Sequence, residues 1–126
     1  STLARAALEG VAFTIRAQLA LLAHGGAPPT ELRVSGGDAR LATWNQIKAD
    51  VIGLPVTTIP GDAAVTGVAM LAGLGAGIYR STDEAISRCV RPDPPLEPNP
   101  AHAGPYGDAF ARFLELVASA VVRHSR

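Results

Sequence analysis

Residues 32–59 read LRVSGGDARLATWNQIKADVIGLPVTTI, and this stretch decides the fold. Each end, at 32–35 and at 56–59, is a short run of strand-forming residues. Between them, Trp44, Ile47 and Val51 recur at helical spacing. A strand, a helix and a second strand within about 28 residues predict a βαβ unit, which has two parallel strands and a right-handed crossover.

The sequence also predicts where the central helix begins and ends. Thr43 and Gln46 have the spacing of a capping box, so we expect the helix to begin at Thr43. Gly53, followed by Pro55, ends it. Asp50 follows the amphipathic pattern of this helix and is given no chemical role.

Helices are predicted on both sides of this unit. Leu3 to Ala23 forms an amphipathic helix whose polar face we expect to be solvated, and Gly25 and Gly26 end it. Asp62 caps a helix that runs to about Gly75, Thr82 caps a short helix at 83–89, and a final helix spans about 106–122. Residues 92–105 hold six prolines and predict an extended surface segment that is not a further strand. The predicted buried stripes are Leu8, Val11, Ile15, Leu19 and Leu22 in the first helix, and Phe110, Phe113, Leu114, Val117 and Val121 in the last.

Two strands are too few for a parallel sheet that is stable by itself. The helix after Asp62 is apolar on nearly all sides, so we expect it to be covered. We therefore interpret the 126 residues as part of a larger domain. A chain of this kind that existed alone would expose an apolar patch, which predicts a homodimer or a partner segment.

Composition excludes several functions. The chain has 11 basic and 11 acidic residues without a block of like charges, so no nucleic-acid partner is expected. No apolar stretch reaches the roughly 20 residues that span a bilayer, and we expect a soluble, cytoplasmic protein. One cysteine, Cys89, allows no intrachain disulfide, and it is interpreted as a packing residue. His24, His102 and His124 lack metal-ligand spacing and are expected at the surface or at helix ends.

The candidate site is the turn after the first strand, at residues 35–41. Consecutive glycines allow a sharp turn and let a ligand approach main-chain N–H groups. The turn lies beyond the carboxyl end of a parallel strand, where ligands of open α/β sheets bind. The following helix N-terminus favours an anion. A tight connection whose glycines serve steric reasons alone is an equally good interpretation of the spacing.

The same residues resemble a known family. Arg33 to Arg40, then Trp44, Gln46, Asp50 and Gly53, are similar to the C-terminal signature of the FGGY carbohydrate kinases. The small-residue helix that contains residues 64–69 and the tail at 97–113 also resemble this family, and the tail is most similar to its xylulokinase branch. The likeness covers nearly the whole chain.

The resemblance implies a partial ribonuclease H-like fold of the actin-type ATPases, with ATP and sugar bound between two lobes. It implies transfer of a phosphoryl group from ATP, with Mg²⁺, to a sugar hydroxyl; a ketopentose, D-xylulose, is the expected sugar. Gly36, Gly37, Asp38 and Leu41 would lie on the nucleotide side. Leu41 departs from the polar residue that relatives often have, so a side-chain hydrogen bond there is not expected.

The resemblance places the general base, the sugar-binding residues and the phosphate clamps upstream of the matched region. We therefore expect residues 1–126 to be the C-terminal part of the nucleotide-side domain, inactive alone and partnered by an N-terminal lobe. Two alternatives remain open. One is a stand-alone nucleotide-binding or regulatory module, and the other is a dimerisation domain without catalysis.

Overall fold

The computed structural model describes the backbone of residues 2–124 and the side chains of residues 2–37 and 39–120. The predicted α/β class is confirmed: helices surround a two-stranded parallel sheet. In chain order the elements are α1 (Thr2–His24), β1 (Leu32–Val34), a 3-10 turn (Asp38–Arg40), α2 (Ala42–Ile52), β2 (Val56–Thr58), α3 (Ala63–Gly75), α4 (Thr82–Cys89), a second 3-10 turn (Pro100–His102) and α5 (Ala103–His124).

The βαβ unit forms as the sequence predicts. β1 and β2 are parallel, with Leu32 opposite Val56 and Val34 opposite Thr58. Beyond the strands, the Ile59 N–H donates to the Val34 carbonyl at 2.8 Å. Gly53 ends α2 with a φ of 76° and donates its N–H to the Ala49 carbonyl at 2.8 Å.

The core lies where α1, α2 and α5 meet. Its buried members are Ala12, Phe13, Trp44, Ile47, Val51 and Tyr106, with Leu8, Ala109, Phe110 and Phe113 packed against them. The ring of Phe13 contacts those of Tyr106, Phe110 and Phe113 at centroid distances of 5.5–6.2 Å. Trp44, Ile47 and Val51 are buried as predicted.

The predicted buried stripe of α1 is only partly confirmed: Leu8 packs against the core and Ile15 and Leu19 are partly buried, but the fully buried face lies beside this stripe. Ala12 and Phe13 are the buried residues, whereas Val11 and Leu22 are 52% and 59% exposed. The helix is rotated because α2 and α5 pack around Phe13, and helical spacing alone does not say which apolar face receives them. In α5, Leu114 and Val117 are both 44% exposed, and Val121 lies outside the described side chains.

The polar face of α1 is not simply solvated. The Tyr106 hydroxyl donates to a Glu9 carboxylate oxygen at 2.8 Å and accepts from Arg5 at 3.0 Å. Arg16 donates to the Val51 carbonyl at 2.9 Å. Burial lowers the pKa of Arg16, and burial followed by the bond to Glu9 raises that of Tyr106. These groups fix α1 against α2 and α5.

By length and mean hydropathy, α1 could cross a membrane, whereas the sequence was expected to contain no stretch long enough to do so. This is weak evidence, since core helices of soluble proteins meet the same criterion. The bonds from Arg5, Glu9 and Arg16 to neighbouring elements indicate a packed helix.

Two predicted helix caps are wrong and one is confirmed. α2 begins at Ala42 with Leu41 as N-cap, because the 3-10 turn delivers the chain to the helix before Thr43. α4 is capped by Ser81, not Thr82, through a bond from the Glu84 N–H at 3.2 Å. Asp62 caps α3 as predicted, accepting from two main-chain N–H groups at 2.9 and 3.1 Å.

The expected covering of α3 is not provided by the residues described. Gly73 is its one buried residue, and Val65, Val68 and Leu71 are 65–68% exposed. We call these three residues, with the alanines Ala64, Ala69 and Ala72 beside them, the α3 face. An apolar face of this kind on a folded chain marks a contact surface.

Candidate functional site

A cleft of about 360 Å³ lies beyond the carboxyl ends of both strands. Parallel strands deliver their following turns to the same edge of the sheet, and the cleft is the gap between those turns. It is lined by Gly36, Ala39, Arg40, Ala42, Asn45, Thr58, Ile59, Pro60, Gly61, Asp93, Pro94 and Leu96.

The glycine turn after β1 forms one rim of the cleft. Gly36 has a φ of +87°, a left-handed conformation that L side chains rarely adopt. Gly37 does not have a positive φ, and a Cβ placed on it would meet no atom within 4 Å. Gly36 is therefore required by the turn, whereas Gly37 leaves its backbone open to approach from solvent.

The start of α2 adds electropositive character to this rim. Leu41 makes no side-chain capping bond, and the first turn contains no acidic residue. The Asn45 N–H donates to the Leu41 carbonyl at 3.0 Å, and the main-chain N–H groups of the first turn point toward the N-terminus of the helix. Ala42 and Arg40 both line the cleft and are exposed. An anion at this rim would meet the partial positive charge of a helix N-terminus and a guanidinium group.

Asn45 fastens the rim to the sheet. Its side chain is buried, and Nδ2 donates to the Ala39 carbonyl at 2.6 Å and to the Thr58 Oγ1 at 3.3 Å. Its Oδ1 accepts from the buried Lys48 Nζ at 3.3 Å. Sequence reasoning placed Asn45 inside a capping box and missed this role. The available signal was an asparagine between the buried positions of Trp44 and Ile47, where a polar side chain needs partners.

The opposite wall comes from the proline-rich segment. The Asp93 N–H donates to the Thr58 carbonyl at 2.9 Å, and Leu96 exchanges two main-chain hydrogen bonds with Val56 at 2.9 and 3.0 Å. Residues 92–99 are extended as predicted, but the prediction is wrong for residues 100–105, which form the second 3-10 turn and the start of α5. Leu96 also makes an antiparallel bridge to Val56 of β2. We call residues 93–102 the strap.

The strap is anchored on Asp50, which sequence reasoning treated as an ordinary helix residue. The Asp50 carboxylate is buried and accepts from the Asn99 N–H at 2.9 Å, from Gln46 at 2.8 Å and from His102 Nδ1 at 2.7 Å. Burial raises the pKa of Asp50, but these three hydrogen bonds outweigh it, so the pKa is below its ordinary value. His102, expected at the surface or at a helix end, is half-exposed and joins two elements.

The four residues singled out from the sequence lie close together in the chain but not all in the cleft. Gly36 lines it, and Gly37 is adjacent and accepts from the Arg40 N–H at 3.4 Å. Asp38 begins the 3-10 turn, and its side chain lies outside the described part of the structure. Leu41 is 59% exposed and is not one of the lining residues.

The cleft residues suit a nucleotide better than a metal ion. The accessible backbone of the glycine turn, the N-terminus of α2 and the Arg40 guanidinium can contact the sugar and phosphate groups of a nucleotide. In contrast, the described residues contain no group of three His, Cys, Asp or Glu side chains that could hold a metal.

Comparisons with known proteins point to one group of enzymes. Residues 1–76 match the FGGY family of carbohydrate kinases, C-terminal domain. A glycerol kinase of Acidovorax sp. (strain JS42) is 46% identical over 89 residues, which are 65% of this chain and 18% of the relative. An autoinducer-2 kinase of Yersinia enterocolitica is 34% identical over 108 residues, 84% of this chain and 20% of the relative.

A solved structure extends the likeness to the strap and α5. The xylulose kinase of Rhodospirillum rubrum superposes with a TM-score of 0.80 and 29% identity, over 94% of this chain and 24% of that protein. The fold is thus that of the C-terminal part of these kinases, as the predicted actin-type ATPase fold requires. The chain spans about a fifth to a quarter of the length of these proteins.

Proposed function

The chain belongs to the FGGY family of carbohydrate kinases, and we propose that it is the C-terminal portion of an ATP-dependent sugar kinase. In this proposal residues 1–126 are part of the nucleotide-side domain and form one wall of the ATP site. The observation that carries the proposal is the cleft at the carboxyl ends of β1 and β2, with the glycine turn and the N-terminus of α2 at its rim.

The proposed binding mode uses the backbone more than side chains. The adenosine lies against the Gly36-Gly37 turn, where no Cβ obstructs it. The α-phosphate lies near the first turn of α2, whose N–H groups and dipole favour negative charge. Asp38 and Leu41 flank this contact, and the apolar Leu41 contributes no hydrogen bond. Mg²⁺, when bound with the nucleotide, would neutralise part of the phosphate charge.

The sugar is proposed first by class and then by identity. Relatives named for glycerol, autoinducer-2 and xylulose share this part of the fold. We propose a ketopentose, D-xylulose, because the tail at 97–113 resembles the xylulokinase branch and the xylulose kinase superposes through that tail. A substrate panel on the complete kinase, read as kcat/KM, tests this; a strong preference for glycerol would contradict it.

Catalysis is proposed to need the remainder of the kinase. The described residues of the cleft include one carboxylate, Asp93, whose N–H is bonded to the sheet. Without a positioned general base the rate falls by roughly 10²–10⁴, and loss of phosphate clamps removes a further electrostatic contribution. The 126-residue chain alone should therefore not phosphorylate sugars. The α3 face is then the surface on which the rest of a cytoplasmic kinase, or a second copy, packs.

The nucleotide assignment is tested with Gly37→Val in the complete kinase. The added side chain finds open space and an ordinary φ, so the fold should be unaffected. It should, however, obstruct the backbone that receives adenosine and raise the KM for ATP. Gly104→Val is the control, since Gly104 is also exposed and open but lies in the first turn of α5. An unchanged KM for ATP in Gly37→Val would falsify the assignment.

A further inference from the structure

Asp50 lies away from the cleft but is bonded to one of its walls. Asp93, Pro94 and Leu96 of the strap line the cleft. The same strap ends at Asn99 and His102, which both donate to the Asp50 carboxylate. The cleft wall and the buried carboxylate are therefore two ends of one short segment.

Few other bonds hold the strap. On the cleft side, Asp93 and Leu96 bond to the edge of β2 through the main chain. In the middle, Gln46 Nε2 donates to the Glu97 carbonyl at 2.9 Å, and the same nitrogen donates to Asp50. Asp50 thus orients Gln46 as well as receiving Asn99 and His102. Every described side-chain bond between α2 and the strap involves Asp50 or the Gln46 that it orients.

The Asp50 carboxylate is buried, which makes its hydrogen bonds to the strap costly to break. Asp50 is 7% exposed, and an ionised carboxylate accepts hydrogen bonds but donates none. Its three donors come from α2, from the strap main chain and from the turn before α5. A buried charge with three aligned donors costs far more to disturb than an exposed ion pair. It can therefore hold a proline-rich segment whose only regular structure is the bridge at Leu96 and the 3-10 turn at Pro100–His102.

We propose that Asp50 is a positioning residue for nucleotide binding, which holds the strap so that residues 93–96 form the far wall of the cleft. This inference rests on the proposed function of the cleft. It assigns a role to Asp50, which does not contact the nucleotide. Asp50 sets the fraction of molecules in which residues 93–96 are in place as the far wall of the cleft. When that fraction falls to a tenth, the apparent affinity falls about tenfold.

The variants are Asp50→Asn and His102→Ala in the complete kinase. Both oxygens of the Asp50 carboxylate accept hydrogen bonds, from Asn99, Gln46 and His102. Asp50→Asn replaces one of these oxygens with an NH₂ group, which donates and cannot accept. His102→Ala removes a single donor whose side chain is 44% exposed, so it remains informative if Asp50→Asn fails to fold. The matched control is Asp108→Asn, because Asp108 is an exposed carboxylate on α5.

Two readouts separate positioning from general destabilisation. Hydrogen exchange should become faster at the Asp93 and Leu96 amides, which bond to β2, and remain unchanged at Ile59, which bonds to β1. In steady-state kinetics the KM for MgATP should rise about tenfold with Asp50→Asn and less with His102→Ala, while kcat changes little. Asp108→Asn should change neither.

The outcomes distinguish this inference from the proposed function. If strap amides are equally protected in the variants, Asp50 does not hold the strap and the inference is wrong. If they exchange faster but the KM for MgATP stays the same, the strap does not shape the site and the inference is again wrong. If Gly37→Val has no effect on ATP, the nucleotide assignment itself fails, whatever the strap does.

Discussion

Ala42→Asp should have opposite effects on folding and on nucleotide binding. Ala42 is the first residue of α2, is exposed and lines the cleft. The first turn of α2 contains no acidic residue, and the Leu41 side chain makes no capping bond. A carboxylate there should stabilise the helix by about 0.3–1 kcal/mol. The same carboxylate would stand where the α-phosphate is proposed to bind.

The size of the binding effect follows from Coulomb's law. Two unit charges about 8 Å apart repel by about 2 kcal/mol at an effective dielectric constant of about 20. That energy corresponds to a roughly thirtyfold loss of affinity. Adenosine carries no phosphate, so its affinity should change little. The substitution therefore separates charge repulsion from simple obstruction of the cleft.

The assay is titration calorimetry of the complete kinase with ATP, AMP and adenosine, alongside denaturant unfolding. We expect weaker binding of ATP and AMP, near-normal binding of adenosine, and unfolding that is no easier than in the wild type. Gly104→Asp, which adds the same charge to the first turn of α5, should leave all three affinities intact. Unaltered ATP affinity in a folded Ala42→Asp protein would refute the placement of the phosphate at α2.

Two further predictions concern stability and association. The pKa of Asp50 is lowered in the folded chain, so its contribution to stability is complete above the unfolded value of about 3.9 and is lost as the pH falls through the folded value. Urea unfolding should therefore show the advantage of the wild type over Asp50→Asn shrinking below about pH 4, and a constant difference would contradict this. The 126-residue chain should self-associate through the α3 face, and Val68→Asp should shift its sedimentation toward the monomer, because Val68 is 68% exposed. A wild-type chain that sediments as a monomer would argue against that surface.

The parts of the fold that could be predicted are those encoded by neighbouring residues. The βαβ unit follows from patterns within residues 32–59, and Asp62 caps α3 with donors two and three residues away. The glycine turn was located in the same way. Gly36 lies two residues after the end of β1, and the left-handed φ that it adopts is one that glycine tolerates.

The remainder depends on contacts between distant residues. Asp50 meets His102 across 52 positions, and Arg5 meets Tyr106 across 101. No local pattern specifies which apolar side of α1 receives α2 and α5, so Phe13 was missed. For the same reason the wall of the cleft that the strap supplies was not foreseen, although the prolines correctly marked residues 92–99 as extended.

The central claim is that nucleotide binds against the glycine turn at the carboxyl ends of the two strands. The most direct test is a crystal structure of the complete kinase with bound ADP. We expect the adenosine in van der Waals contact with Gly36 and Gly37, and the α-phosphate at the first turn of α2. A nucleotide bound elsewhere, with the cleft between this turn and the strap empty, would contradict the account.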